Sequence, residues 1–219
     1  MHSEQLKPAY KNIIFNESAP SPIKTKLYAG ISESKPSQAG WYVFCNGRMV
    51  LEADQSIITG WGEGEGTTIP KYHNQFARFR GYVFFDSDAA EFLPWNTTKT
   101  GVDTDSRIYQ AVRLEMIKLM RPVIDFLNRL DAEKDDDGDN EKPLEIAVKA
   151  AQKTKISEVR TDEVFKAPTP TTKPKAPKMG RIQYSKPNNE IEIIKEILEA
   201  RSNKEVGEKT FEYFLEMEG

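Results

Sequence analysis

The chain has 219 residues, of which 38% are hydrophobic and 30% charged, and its formal net charge is −3. This balance allows one or two folded domains, and the total charge favours neither nucleic acid nor a membrane as a partner. One cysteine (Cys45) and two histidines exclude an intrachain disulfide and a metal site built from several Cys or His ligands. The single cysteine is typical of a reducing cytoplasm, and no apolar run approaches the roughly 20 residues that span a bilayer, so we expect a cytoplasmic protein with no membrane partner.

The first half of the chain predicts β-strands. Apolar and polar residues alternate in part over residues 23–31, and Asn46–Gly47 between two apolar runs is a strong hairpin signal. Aromatic and β-branched residues favour a strand over residues 76–85. The predicted strands are therefore a short one at 13–15, then 23–31, 41–44, 48–53 and 76–85.

Residues 104–130 predict one long amphipathic helix. Apolar residues recur there at steps of three and four, namely Ile108, Val112, Met116, Leu119, Val123, Leu127 and Leu130. Pro122 lies inside this segment, so we expect it to kink the helix or to split it into two packed pieces. A sheet of about four strands covered by such a helix is a two-layer α/β sandwich of the α+β class, and we assign residues 1–131 to it.

Residues 132–179 predict a linker. An acidic run at 135–139 is followed by a segment, 141–153, that favours a solvated helix. Residues 167–178 are rich in Pro, Thr and Lys, a composition that cannot bury a core and favours an extended chain.

Residues 180–219 predict a short strand and two helices. The strand is 181–185, and the first helix has an apolar face of Ile191, Ile194, Ile197 and Leu198. Ser202 and Glu205 form a capping box that opens a second helix, whose apolar face is Val206, Phe211, Phe214 and Leu215. About 40 residues are too few to be stable alone, so this unit needs a second copy.

The order strand–helix–helix resembles the ribbon-helix-helix repressors, in which two copies pair their strands. The resemblance implies a homodimer in which Arg181, Gln183 and Ser185 face outward, where such residues read base edges in the major groove. Lys186 and the basic arm that begins at Lys166 would add phosphate contacts. Dimerisation without DNA remains open, because the two helices are mainly acidic.

The loop that follows the last predicted strand contains Asn96–Thr97–Thr98–Lys99–Thr100–Gly101, and the long helix begins a few residues later. This layout resembles the second, S5-like transducer domain of the GHKL ATPases (gyrase B, MutL and the Microrchidia proteins). The resemblance implies that Lys99 reaches into a neighbouring ATPase domain and contacts the terminal phosphate of ATP. The hydroxyls of Thr98 and Thr100 would hold the lysine or donate to the same anion. An ordinary solvated lysine is the alternative.

The predicted hairpin at Asn46 and Arg48 also resembles this family, because Microrchidia-type second domains carry an Asn-Arg pair there. The resemblance implies that both residues help to dock the ATPase domain. A turn residue beside an exposed charge is the alternative.

The ATP-site motifs of the GHKL family are missing, so we expect no catalytic site and no cofactor on this chain alone. ATP and Mg²⁺ would be shared with a GHKL ATPase domain, in the same chain or in a separate one. Two alternatives remain: a ribbon-helix-helix DNA-binding regulator with a partner-binding body, and a hydrolase that uses His73. No sequence feature supplies a partner base for His73 or Cys45, so we expect a loop anchor and a buried strand-end residue respectively.

Overall fold

The computed structural model describes residues 6–16, 18, 20–62, 69–134, 142–152, 155–159, 163–168, 183 and 185–218. The chain divides into two compact units, Met1–Thr171 and Thr172–Gly219. The first unit contains the strands β1 (Ala9–Phe15), β2 (Ile23–Ile31), β3 (Gly40–Cys45), β4 (Arg48–Asp54) and β5 (Phe79–Asp86), and the helices α1 (Arg107–Lys134) and α2 (Pro143–Ala150). The second contains α3 (Asn188–Leu198) and α4 (Asn203–Glu218). The α+β class is confirmed.

The five strands form one mixed sheet in the order β1-β2-β5-β3-β4. β5 pairs antiparallel with β2 and parallel with β3, while β1–β2 and β3–β4 are antiparallel pairs of consecutive strands. The sequence indicated about four strands and gave β1 only its last three residues. The strand is longer because its first four residues, Ala9 to Asn12, also pair with β2, opposite residues 26–29.

The core lies between the sheet and α1. Leu27, Trp41, Val83 and Phe85 point from the strands to the helix and are fully buried. The indole Nε1 of Trp41 lies 3.3 Å from Sδ of Met120 on α1. A Cβ atom at Gly81 would lie 2.3 Å from the Trp41 ring, so this strand position requires glycine.

Helix α1 continues through Pro122 as a single element of 28 residues, so the predicted split into two pieces does not occur. Proline removes only one hydrogen bond of the helical ladder. Met120, Val123 and Ile124 on either side are buried against the same core, which holds both halves on the sheet.

The sheet face opposite α1 carries aromatic residues. Tyr10, Tyr28, Tyr82 and Tyr42 lie level with one another on β1, β2, β5 and β3. The Tyr42 and Tyr82 rings stack with centroids 5.3 Å apart. Two residues further along the same two strands, the Phe44 and Phe84 rings stack with centroids 4.9 Å apart.

Part of the predicted linker packs on the first unit. Leu144 of α2 and Phe165 are buried, and the Phe165 ring lies 5.8 Å from that of Phe126 on α1. Backbone bridges join Tyr10 to Glu163 and Lys7 to Lys166 at the free edge of β1. The predicted solvated helix is therefore shorter, and it is anchored by Leu144.

In the second unit, α3 and α4 lie against each other. The predicted capping box forms in a shifted version, because Ser202 Oγ accepts from the Glu205 amide while the Glu205 carboxylate accepts from the Arg201 amide. Arg181, Ile182 and Tyr184 of the predicted strand lie outside the described residues. Among the helices that are described, none is long and apolar enough to cross a membrane.

Candidate functional site

One end of the sheet gathers three features that the sequence singled out. Because β3 and β5 are parallel and in register from Gly40 to Cys45, the β3–β4 turn and the loop after Asp86 leave the sheet at the same end. Helix α1 runs in the opposite direction. Its Met120 contacts Trp41 near the start of β3, whereas its Glu115 binds Lys11, which is level with the middle of β3. The first turn of α1 therefore lies towards that same end.

Residues 94–103, here called the lysine loop, are closed at their base by a bridge between Trp95 and Val102. The Asn96 amide donates to the Gly101 carbonyl at 2.9 Å, and the Lys99 amide donates to the Asn96 carbonyl at 2.9 Å. The side-chain oxygen of Asn96 accepts from the Thr100 amide and the Thr98 hydroxyl, both at 3.0 Å. Asn96 therefore fixes the conformation of the loop.

Lys99 lies at the tip of this loop in the left-handed region, with φ of 55°. Its side chain is exposed, and its Nζ lies 4.6 Å from the centroid of the Trp95 ring. The Thr98 and Thr100 hydroxyls are exposed and 2.8 Å apart, bonded to each other. The predicted residues Thr98, Lys99 and Thr100 thus form one polar tip with a single cation.

Asn46 binds the segment that leads to the lysine loop. Its side chain accepts from the Ser87 amide and donates to the Ser87 carbonyl, both at 2.9 Å. Asn46 has φ of 45°, a conformation that asparagine tolerates better than most residues. Arg48, two residues later, is exposed at the start of β4. Asn46 therefore positions the loop from within the domain, and Arg48 presents a charge beside it.

Two residues that carry the loop geometry were given no role by the sequence. Trp95 supplies the surface on which Lys99 rests, and Asn96 forms an Asx-type turn with Thr98 and Thr100. An asparagine two residues before a threonine at the start of a polar loop is a recognised signal for such a turn. The contact between Trp95 and Lys99 had no comparable signal.

The candidate DNA contacts belong to the second unit. Gln183, Ser185 and Lys186 are exposed, and Arg181 lies outside the described residues. No two of these side chains are joined by a contact within the described part of the unit.

His73 and Cys45 have local roles. His73 Nδ1 accepts from the Gln75 amide at 3.5 Å and caps a short 3-10 helix, as a loop anchor does. Cys45 is fully buried, and burial raises the pKa of its thiol to about 12, with the Asp86 carboxylate adding to the effect. Across the described residues, no group of three or more His, Cys, Asp or Glu side chains could hold a metal ion.

Comparisons with protein-family models, with curated proteins and with solved structures found no match to this chain.

Proposed function

We propose that this chain is the transducer and dimerisation portion of a GHKL-type ATP-binding protein. Its S5-like domain docks on an ATPase domain, in the same chain or in a separate one, and Lys99 contacts the terminal phosphate of the ATP held there with Mg²⁺. The observation that carries the proposal is the position of Lys99, an exposed cation at the tip of a loop whose conformation is fixed by Asn96.

The energetics allow Lys99 to leave its present contact. An exposed cation–π contact such as that with Trp95 contributes about 0.5–1 kcal/mol. A charge-assisted hydrogen bond of the kind a lysine forms with a phosphate contributes about 1.5–3 kcal/mol. Because the loop backbone is already ordered by hydrogen bonds, little further entropy is lost when the side chain moves to the nucleotide.

Docking is assigned to the same end of the sheet. Arg48 is exposed there, and the Asn46–Ser87 bonds couple its hairpin to the segment that carries Lys99. Helix α1 would transmit a movement caused by docking to the rest of the domain. Its Arg113 donates to the Ile57 and Ile58 carbonyls and so connects the helix to the segment after β4.

The second unit would hold two copies together. Four large apolar side chains of this small helical pair are 52–68% exposed, namely Ile197, Phe211, Phe214 and Leu215, and together they offer apolar area for a partner. A second copy would cover them. Two linked copies raise the effective concentration of each ATPase domain for the other, which favours a nucleotide-driven clamp.

The test uses the chain together with a Bergerat-type ATPase domain that is found to bind it. Lys99→Ala should lower ATP turnover at least tenfold without changing the unfolding midpoint. Lys155→Ala, at another exposed lysine of the same unit, is the matched control. Normal turnover in the Lys99 variant, or the absence of any ATPase that binds this chain, would contradict the proposal.

The exposed Gln183, Ser185 and Lys186 favour a second candidate, a DNA-binding regulator with a partner-binding body. Gel shifts at increasing salt distinguish it. Binding that weakens steeply with salt and is lost when Arg181 and Lys186 are changed to Gln would support DNA contact. Binding that is absent at low salt would leave the unit as a dimerisation device.

A further inference from the structure

We propose that the first unit binds a small amphipathic anion in a cavity at the end of the sheet opposite the lysine loop. The cavity has a volume of about 520 Å³, within the range of roughly 300–1,000 Å³ that is typical of small-ligand sites. Arg80 lies at the start of β5 and Asp86 at its end, so the two ends are about 20 Å apart at roughly 3.3 Å per residue. The cavity is therefore separate from the lysine loop.

One side of the cavity is basic. Arg78, Arg80, Lys7 and Lys149 line it, against Glu33 as the acidic residue. Glu33 is paired with Lys35 at 3.1 Å, and Lys149 is paired with Glu145 at 3.1 Å. The two arginines are not joined to a carboxylate by an ion pair among the described residues. The surplus positive charge is thus on the two arginines and on the exposed Lys7.

Arg80 is a buried cation, with 7% of its surface exposed. Its guanidinium donates to four backbone carbonyls, those of Ala77 and Phe79 at 3.1 and 2.7 Å and those of Glu33 and Lys35 at 3.3 and 3.4 Å. Carbonyl dipoles satisfy its donors but leave its charge uncompensated. An anion in the adjoining cavity would supply the missing charge at short range.

Arg78 is held in place for the same ligand. Its Nη1 donates to the Ser32 carbonyl at 3.3 Å, and its side chain is half-buried. A guanidinium has five N–H donors in a planar fork, so most of those on Arg78 remain for an oxyanion.

The other side of the cavity is apolar. Val148 of α2, Ile156, Val159 and Phe165 form this wall, and the rings of Tyr28 and Tyr82 lie on the sheet side. A basic floor facing an apolar wall fits a ligand with an oxyanion head and a hydrocarbon or aromatic body. A carboxylate and a phosphate monoester share that chemistry.

The experiment is calorimetric titration of the full chain with octanoate, octyl phosphate and octan-1-ol. Octanoate, octyl phosphate or both should bind with one molecule per chain and at least tenfold more tightly than octan-1-ol. The anion with the lower dissociation constant identifies the preferred head group. Arg78→Gln should weaken this binding about tenfold, and Val148→Trp, which fills the cavity from α2, should abolish it. Lys26→Gln removes an exposed charge on the neighbouring strand outside the cavity and should leave binding unchanged.

The urea midpoint of each variant checks that the fold survives. Arg80 is left unchanged, because its hydrogen bonds hold two loop segments together and its loss would disturb the fold. The proposal is overturned if neither anion saturates, if octan-1-ol binds equally well, if the Lys26 variant weakens as much as the Arg78 variant, or if binding persists in Val148→Trp. Because ATP turnover is not measured, these outcomes are independent of the role of Lys99.

Discussion

Asn46 exchanges two hydrogen bonds with the backbone of Ser87, and this reciprocal pair joins the β3–β4 turn to the segment that leaves β5. The two residues are 41 positions apart in the chain. The contact couples the hairpin rigidly to the start of the segment that leads to the lysine loop. We therefore expect a substitution in the turn to change the position of the loop.

The Asn46 contact can be separated from its backbone effect. Asn46→Gly keeps the left-handed conformation but loses both bonds, and should lower the free energy of unfolding by about 1–2 kcal/mol. Asn46→Ala loses the bonds and also strains the backbone, which adds about 1 kcal/mol. Urea unfolding of both variants measures the difference. Equal stability of the two would contradict a left-handed Asn46.

The contact between Gly81 and Trp41 predicts a coupled pair. Gly81→Ala should lower the free energy of unfolding by about 3 kcal/mol, because the new methyl group meets the indole ring. In a Trp41→Leu background the same change should cost less than about 1 kcal/mol. Gly207→Ala in α4 is the control, since nothing lies within 4 Å of its added Cβ and its backbone is not left-handed. Additive costs for Gly81 and Trp41 would show that the two residues do not collide.

The buried Cys45 thiol should be inert in the folded protein. Its pKa of about 12 means that the thiolate is scarce at every pH below that value. At pH 8 we expect its reaction with a disulfide reagent to be at least 100-fold slower in buffer than in concentrated urea. The rate in buffer should rise with pH up to the limit set by unfolding. A native rate equal to the rate in urea would overturn this expectation and reopen a chemical role for the thiol.

The exposed apolar side chains of α3 and α4 predict self-association. Sedimentation of the full chain should give a dimer, and Phe214→Ser should shift it to a monomer, because the substitution removes apolar area from the covered surface. Glu212→Ser, at an exposed polar position of the same helix, should remain dimeric. A monomeric wild-type chain would remove the dimerisation part of the proposed function.

Local pattern was sufficient for much of the first unit. Strand β2 and the hairpin at Asn46 follow from alternation and turn chemistry, and α1 from its apolar repeat. The first half of β1 was not predicted, because Lys11 sits on the helix-facing side and is compensated by Glu115 of α1, at 2.6 Å. Such compensation depends on a residue more than 100 positions away.

In the linker and in the candidate site as well, some features followed from the local sequence and others did not. The composition of residues 132–179 indicated solvated chain, yet Leu144 and Phe165 are single apolar residues that find places in the core. In the lysine loop, the cation was identified from sequence. The Asn46–Ser87 bonds join residues 41 positions apart and had no local signal. The Trp95 ring beneath the cation is four positions away in the same loop, but its contact depends on how the loop turns and was not predicted.

The central position of β5 has a consequence for synthesis. The β1–β2 and β3–β4 pairs are each local, but neither pair contacts the other in the sheet until β5 lies between β2 and β3. A nascent chain that has not yet emerged past Asp86 therefore holds two separate ribbons with unpaired inner edges. Because such non-local pairing is slow, we expect vectorial folding of this unit to pause until β5 leaves the ribosome.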